Sequence, residues 1–413
     1  MEYFIILLIL LGLAITGFTL AGTIELLLLT LGGLLFSQQR QLARNSEFVV
    51  PHHLAVVIPA HNEEANIACC ITSLLSCDKP NSQVAIYVIA DNCTDETARC
   101  AQAAGAQVLT RQDEINRGKG YALDYVFQIL LKQDIDAILI IDADTVVEKN
   151  FLLACEQVLA GGAEAIQCRY TVSNPDISLR TRLMHIALLA FNVLRPRGRA
   201  YFGVSVGILG NGFGLTRRVL QQVPYQARSV VEDLEYHLAL VRAGMRVHWV
   251  DSTTVRGDMP TGGQGTDSQR ARWEGGRLRM ILEQIPILSW AVLTGQFRLL
   301  EPLLELLLLP LALHVTLLLL VLLIPFPPTQ IYAGIALGIV LIHILAALWV
   351  GGGTRKDLAI LASVPFYILW KLTRLPLVIK TARKEASWVR TQREHQPAST
   401  GKTVDPTKEN PPR

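Results

Sequence analysis

The chain has 413 residues, 51% of them hydrophobic and 18% charged, with 38 Lys and Arg against 35 Asp and Glu for a net charge of +3. So slight a positive balance, with the basic residues not interleaved with aromatics on one face, argues against nucleic acid as a partner. Apolar residues crowd Tyr3 to Phe36 and Leu299 to Val350, whereas Pro51 to about Arg279 has the mixed composition of one large soluble domain, which argues against a transporter built from repeated spans.

In chain order, the first apolar run lacks a basic n-region, because Glu2 is acidic, and lacks a small-residue cleavage site. It reads as an uncleaved anchor over residues 1–37 rather than a signal peptide. At about 1.5 Å per residue it exceeds what a bilayer core requires, so one tilted helix is expected. A short polar linker (38–53) follows. Leu54 to Ile58 reads as a strand, ended by Pro59-Ala60-His61-Asn62-Glu63-Glu64, with Asn62 as the expected N-cap of a helix from Glu64 to Leu75. Val84 to Ala90 is a second strand, and Thr94 or Asp95 should cap a helix through Ala104. A third strand over Gln107 to Leu109 precedes Gly118-Lys119-Gly120, which opens a helix from Tyr121 to Leu131.

Ala137 to Ile141 is a run of small and β-branched residues, the pattern of a strand buried on both faces, and it ends in Asp142-Ala143-Asp144. Strand and helix alternating in this rhythm predict an α/β fold with a mainly parallel sheet and right-handed crossovers. Loops at the carboxyl ends of such strands form the ligand crevice. Side chains two apart on a strand point the same way, so Asp142 and Asp144 can converge on one divalent cation. Unpaired, their charges would repel in a low-dielectric crevice, which calls for something positive beside them.

Further on, Ala165 to Val172 reads as a strand and Leu179 to Leu194 as a helix. Gly210-Asn211-Gly212-Phe213-Gly214 is a glycine-rich bend where backbone approaches a ligand or another strand closely. Val230-Val231-Glu232-Asp233-Leu234 opens an amphipathic helix ending near Gly244, and the strand Val247 to Val250 leads to a glycine-rich loop and then Gln269-Arg270-Ala271-Arg272-Trp273. The soluble unit so defined covers residues 54–280. Residues 281–300 read as an interfacial amphipathic helix. Leu303 to Ile324 and Ile331 to Val350 are each long enough to span a bilayer, within a membrane-associated region over 301–379. Leu358 to Ile379, interrupted by Pro365, Lys371, Arg374 and Pro376, is expected to lie at the interface. A basic, partly disordered tail occupies 380–413.

Arg40 and Arg44 after the anchor, and Lys380, Arg383, Lys384, Arg390 and Arg393 in the tail, put both flanks and the intervening domain on the cytoplasmic side of a multi-pass cell-membrane protein. The seven cysteines include no CxxC pair, in keeping with a reducing compartment. The basic tail suits anionic membrane lipids.

The ordered series Asp91, Asp142-Ala143-Asp144, Glu232-Asp233 and Gln269-Arg270-Ala271-Arg272-Trp273 resembles the membrane-embedded family 2 glycosyltransferases, such as cellulose, hyaluronan and poly-N-acetylglucosamine synthases. There the series is written D, DxD, TED and QxxRW; Val231 replaces the threonine here. The resemblance covers roughly Leu54 to Arg279 and implies a GT-A-like nucleotide-sugar-binding domain flanked by transmembrane and interfacial helices. It implies that Ala60, Glu63, Asp91, Lys119, Asp142 and Arg272 hold a UDP-sugar donor, and that Asp144 binds Mg2+ or Mn2+. Asp233 is then the general base, and Gly210, Asn211, Gly212, Glu232, Gln269 and Trp273 face the acceptor. The implied reaction is inverting, metal-dependent transfer to a β-linked polysaccharide of the cellulose or N-acetylglucosamine type. The alternative is transfer of one sugar to a membrane lipid or lipid-linked acceptor. Few spans for a self-sufficient export channel leave room for export or accessory subunits.

Overall fold

The structure is a computed structural model that describes residues 2–38, 50–259 and 263–373, without the side chains of 263–274, Lys371 and Leu372. Arg40, Arg44, the Pro260 end of the glycine-rich loop, the basic tail and the last part of the 357–379 segment lie outside the described residues.

The elements run α1 (Glu2–Leu35), β1 (His53–Ala60), α2 (Ile67–Leu75), β2 (Gln83–Asp91), α3 (Thr97–Ala103), β3 (Gln107–Arg111), α4 (Lys119–Leu130), β4 (Ala137–Ile140), β5 (Thr145–Val147), α5 (Phe151–Ala160) and β6 (Ala165–Val172). They continue with α6 (Leu179–Leu189), a π-helical turn (Ala190–Leu194), α7 (Arg195–Phe202), β7 (Phe213–Thr216), α8 (Arg217–Gln222), α9 (Glu232–Arg242) and β8 (Val247–Gly257). Then come α10 (Gly263–Leu293), α11 (Leu300–Leu307), α12 (Leu311–Leu322), α13 (Pro327–Gly351), α14 (Arg355–Ile360) and α15 (Val364–Thr373).

The eight strands form one sheet in the order β3-β2-β1-β4-β7-β6-β8-β5. The half from β3 to β4 is parallel throughout, β7 runs antiparallel to both β4 and β6, β8 is parallel to β6, and β5 is antiparallel to β8. This is the mixed α/β, mainly parallel sheet that the strand and helix rhythm predicts. Strand β1 shows why it is buried on both faces. Leu54, Val56 and Ile58 face a core shared with Ile67, Ile71 and Leu74 of α2. Ala55 and Val57 face the opposite core, with Leu123, Val126 and Phe127 of α4. Alternate side chains thus bury into two layers, as strand period demands. Strands β1 and β2 stop together at Ala60 and Asp91, and β4 stops at Ile140, the register partner of Val57, so the loops after these three adjacent parallel strands share one edge.

Several local expectations are corrected. Asn62 does not cap a helix. It sits at φ 55°, its Oδ1 accepts from Thr94 N at 2.7 Å, and α2 starts at Ile67. The side chain that could have capped locally instead joins two loops across the sheet edge. The helix from Leu179 does not stop at Leu194. A π turn inserts before Pro196, whose missing N–H falls in the first turn of α7 where no partner is needed, and the helical path continues to Phe202. The segment from Ile281 is not a separate helix; it is the second half of α10. Leu303 to Ile324 is not one straight span either. Its helices α11 and α12 meet at a 72° bend around Leu308-Leu309-Pro310.

Two described helices, α1 and α13, are long and apolar enough to cross a membrane, or three spans if the bent pair counts as one. Helix α1 packs most extensively on α7 and α13. Its crossing with α7 is close because the contact is made by glycines: a Cβ on Gly33 would sit 2.7 Å from the Leu194 carbonyl oxygen, and one on Gly198 would run into the Leu29 carbonyl. Arg197 completes the junction. It donates to the Gly33 and Phe36 carbonyls at 3.0 and 3.1 Å, which α1's last turn leaves without intrahelical partners.

Candidate active site

The sheet edge at the ends of β1, β2 and β4 opens into a cavity of about 860 Å³ that is also lined by residues of the apolar helices α11 and α12. Ala60, Glu63, Asp91, Lys119, Asp142, Asp144, Gly210, Glu232 and Asp233 all line it. Residues from six loops and helix starts therefore converge, as the sequence reading expects.

Asp91 ends β2, and its Oδ1 accepts from Arg111 Nη1 at 2.7 Å. The two residues are register partners on β2 and β3, and both are largely buried. Arg111 is itself fixed by Asp113 and the Asn116 carbonyl, each at 2.8 Å, so the Asp91 carboxylate is held rigidly. Glu63 lies at the same end, with its Oε2 accepting from Asn66 Nδ2 at 2.8 Å and its backbone N–H donating to Thr97 Oγ1 at 2.7 Å. The Asp91 carbonyl is 2.7 Å from His61 Nδ1.

Lys119 begins α4, and its ammonium pairs with the Asp142 carboxylate and with the Gly210 carbonyl. This is the positive charge that the paired aspartates call for. Burial works against the ammonium, but Asp142, Glu232 and Asp233 more than compensate and hold the Lys119 pKa above the usual lysine value. Asp144 lines the cavity beside Asp142 and lies 3.4 Å from the Thr145 hydroxyl.

Glu232 and Asp233 are the first two residues of α9, where acidic side chains suit the positive end of the helix dipole. Asp233 Oδ1 accepts from the Leu234 N–H at 2.8 Å, and a Cβ built on Gly210 would be 3.2 Å from Asp233 Oδ2. Burial raises the pKa of both acids above ordinary carboxylate values, and for Glu232 the Asp233 charge adds to the effect. One turn on, His237 bonds Ser205 Oγ at 2.9 Å, and burial lowers its pKa to about 4, so the imidazole is neutral near pH 7.

Asn211 and Gly212 are not where the resemblance puts them. Asn211 is fully buried under the Asp142 loop, and Gly212 packs on Val255, where a Cβ would come within 2.6 Å of its Cγ2. Both have positive-φ glycine geometry next to or at them, at Gly210 (79°) and Gly212 (69°), which turns the amide inward and away from the cavity. Gln269, Arg272 and Trp273 lie on the backbone of α10, and their side chains are outside the described ones.

The sequence reading also missed residues. Arg111 could have been suspected only by pairing β2 with β3. Arg277 and Glu305 line the cavity from α10 and α11, and the Arg277 guanidinium donates to the Glu305 and Leu308 carbonyls at the helix bend. Arg228 also lines it, paired with Asp124 at 2.7 Å and 4.5 Å from the centre of the Tyr121 ring. The wall of the cavity also has an apolar part, with Met184, Leu188, Phe191, Leu311 and Ala312 in it.

Among the described residues no group of three His, Cys, Asp or Glu side chains converges to hold a metal alone. The oxygen donors at the cavity are the Asp142 carboxylate, which also pairs with Lys119, and the Asp144 carboxylate. That fits a hard divalent cation completed by phosphate oxygens and water, and it does not fit a closed zinc site.

The chain is 24% identical over 239 residues to "Probable glycosyltransferase YdaM" of Bacillus subtilis, covering 56% of each. It is 24% identical over 257 residues to a β-monoglucosyldiacylglycerol synthase of Nostoc sp., covering 60% of this chain and 54% of that one. The chain thus spans little more than half the length of these curated relatives. In fold it is similar to a mannosyltransferase, PcManGT, of Pyrobaculum calidifontis solved with GDP-Man and Mn2+, with a TM-score of 0.50 at 16% identity over 91% of this chain and 96% of that one. The pattern of the family described as "Glycosyltransferase like family 2" matches residues 51–276, more than half of the sequence, and the chain belongs to that family.

Proposed function

We propose that this chain transfers a sugar from a UDP-sugar to an acceptor hydroxyl at the cytoplasmic face of a membrane, with inversion at the anomeric carbon. The observation that carries this reading is the shared cavity: the Asp233 carboxylate lines the same space as Asp91, Lys119, Asp142 and Asp144. Glu63 and the clamped Asp91 hold uracil and ribose, and Lys119 meets the diphosphate as a point charge. Asp142 and Asp144 would hold Mg2+ or Mn2+, which when bound neutralises charge growing on the departing diphosphate. Asp233 accepts the proton of the acceptor hydroxyl as that oxygen bonds to the anomeric carbon and the bond from carbon to the UDP oxygen breaks. One displacement turns an α-linked donor into a β-linked product.

For the acceptor, the apolar part of the cavity wall favours a membrane lipid, whose hydroxyl would reach Asp233 while its chains lie against Leu188, Phe191 and Leu311. A lipid-acceptor synthase among the relatives supports the same choice. The second reading is a β-linked polysaccharide, favoured by the Gln269-to-Trp273 motif. The test uses the full chain in lipid nanodiscs with a panel of radiolabelled UDP-sugars. Label in the lipid extract supports the first reading, alcohol-insoluble label supports the second, and no transfer from any donor would sink both. Asp233→Asn should lower turnover by about 10²- to 10⁴-fold while UDP still binds. Near-normal turnover would remove Asp233 from the role of base.

A further inference from the structure

Beneath the two aspartates lies a set of fully buried polar side chains that belongs to no substrate contact. Asn211 is 0% exposed, as are Gln167 and Thr145. The Asp142 backbone N–H donates to Asn211 Oδ1 at 3.1 Å, and Asn211 Nδ2 donates to Thr145 Oγ1 at 2.7 Å. Because a backbone N–H can only donate, the amide orientation is determined, and the Thr145 hydroxyl proton is left to point at Asp144 Oδ1, 3.4 Å away. One amide therefore ties the start of the Asp142–Asp144 turn to the hydroxyl at its end.

Gln167 holds the backbone that carries this amide. Its Oε1 accepts from Leu209 N at 2.9 Å, and its Nε2 donates to the Asn211 carbonyl at 2.8 Å and the Gly212 carbonyl at 3.2 Å. On the other side, Gly210 touches both Lys119, through its carbonyl, and the surroundings of Asp233. The three-residue turn Gly210-Asn211-Gly212 thus runs from under the aspartates to beside Asp233.

We propose that Asn211 is a positioning residue that sets the aspartate turn for cation binding and fixes its place relative to Asp233. The proposal rests on the metal-assisted reading above and gives that site its supporting layer. Partners of this kind are worth about 10- to 100-fold in metal affinity when removed.

The test measures Mn2+ bound to the detergent-solubilised full chain with UDP present, by electron paramagnetic resonance of the free ion, in parallel with kcat and KM for the donor. Asn211→Ala should weaken Mn2+ about 10- to 100-fold, with unfolding still cooperative. Thr145→Val, which keeps the side chain's shape and removes only the hydroxyl, should weaken it in the same direction, and Thr145→Ser should restore it. Unchanged Mn2+ affinity in Thr145→Val, or in a folded Asn211→Ala, overturns the proposal. Asp144→Asn separates the two claims: if that variant binds Mn2+ normally, the metal reading itself fails, and the role of Asn211 with it.

Discussion

Asp233 and Lys119 show how single residues acquire their chemistry from what surrounds them. Burial raises the pKa of Asp233, so protonation would remove the proposed base at a higher pH than for an exposed aspartate. The sign follows: transfer is present above the raised pKa and lost as pH falls through it. A profile of kcat/KM against pH should place the acid limb above the ordinary aspartate range near 4. A limb at or below that range would contradict the burial argument. Lys119→Met should raise KM for the donor at least tenfold, because a point charge facing a diphosphate contributes mainly to its binding. Chelation of divalent ions should abolish transfer and Mn2+ or Mg2+ should restore it; activity that survives complete chelation would leave Asp142 and Asp144 without their cation.

At the scale of elements, the decisive contacts are close approaches of backbone. Helices α1 and α7 cross on Gly33 and Gly198, and any side chain added at Gly198 meets the Leu29 backbone, which cannot yield as a flexible side chain could. Gly198→Ala should cost about 1–3 kcal/mol, read as a lower thermal midpoint of the detergent-solubilised protein. An unchanged midpoint would mean that the crossing is loose. The bend between α11 and α12 frees carbonyls that a straight helix would have paired, and Arg277 takes up those of Glu305 and Leu308. That same bend delivers Pro310, Leu311 and Ala312 to the cavity wall. A break in an apolar helix here serves the site.

For the whole molecule, one cavity brings the acidic and basic residues of the sheet edge together with apolar residues of α6, the π turn and α12. Leu188→Trp would fill apolar space in the cavity while leaving every proposed donor-binding side chain intact. It should lower transfer to a lipid acceptor about tenfold or more while hydrolysis of the UDP-sugar continues. Equal loss of both reactions would mean that the two parts of the cavity are not separable.

The order of acidic stations, the alternation of strand and helix and the apolar anchor were all legible in the sequence, because each is a local pattern: a period, a charge at a strand's end, a length. Asp91, Asp142, Lys119 and Asp233 could be found that way. Asn211 could not be understood that way, since its partners Asp142 and Thr145 lie more than sixty residues earlier and the fold alone brings them under one amide. Arg111 as the clamp on Asp91, Arg277 at the helix bend, and the apolar part of the cavity were likewise decided only by tertiary structure. Each depends on which strand or helix packs against which, and hydrophobic period is silent on that. Sequence by itself determined which charged groups end the strands and open the helices, because those are local patterns, and the packed structure decided what holds them in place, because that depends on which elements meet.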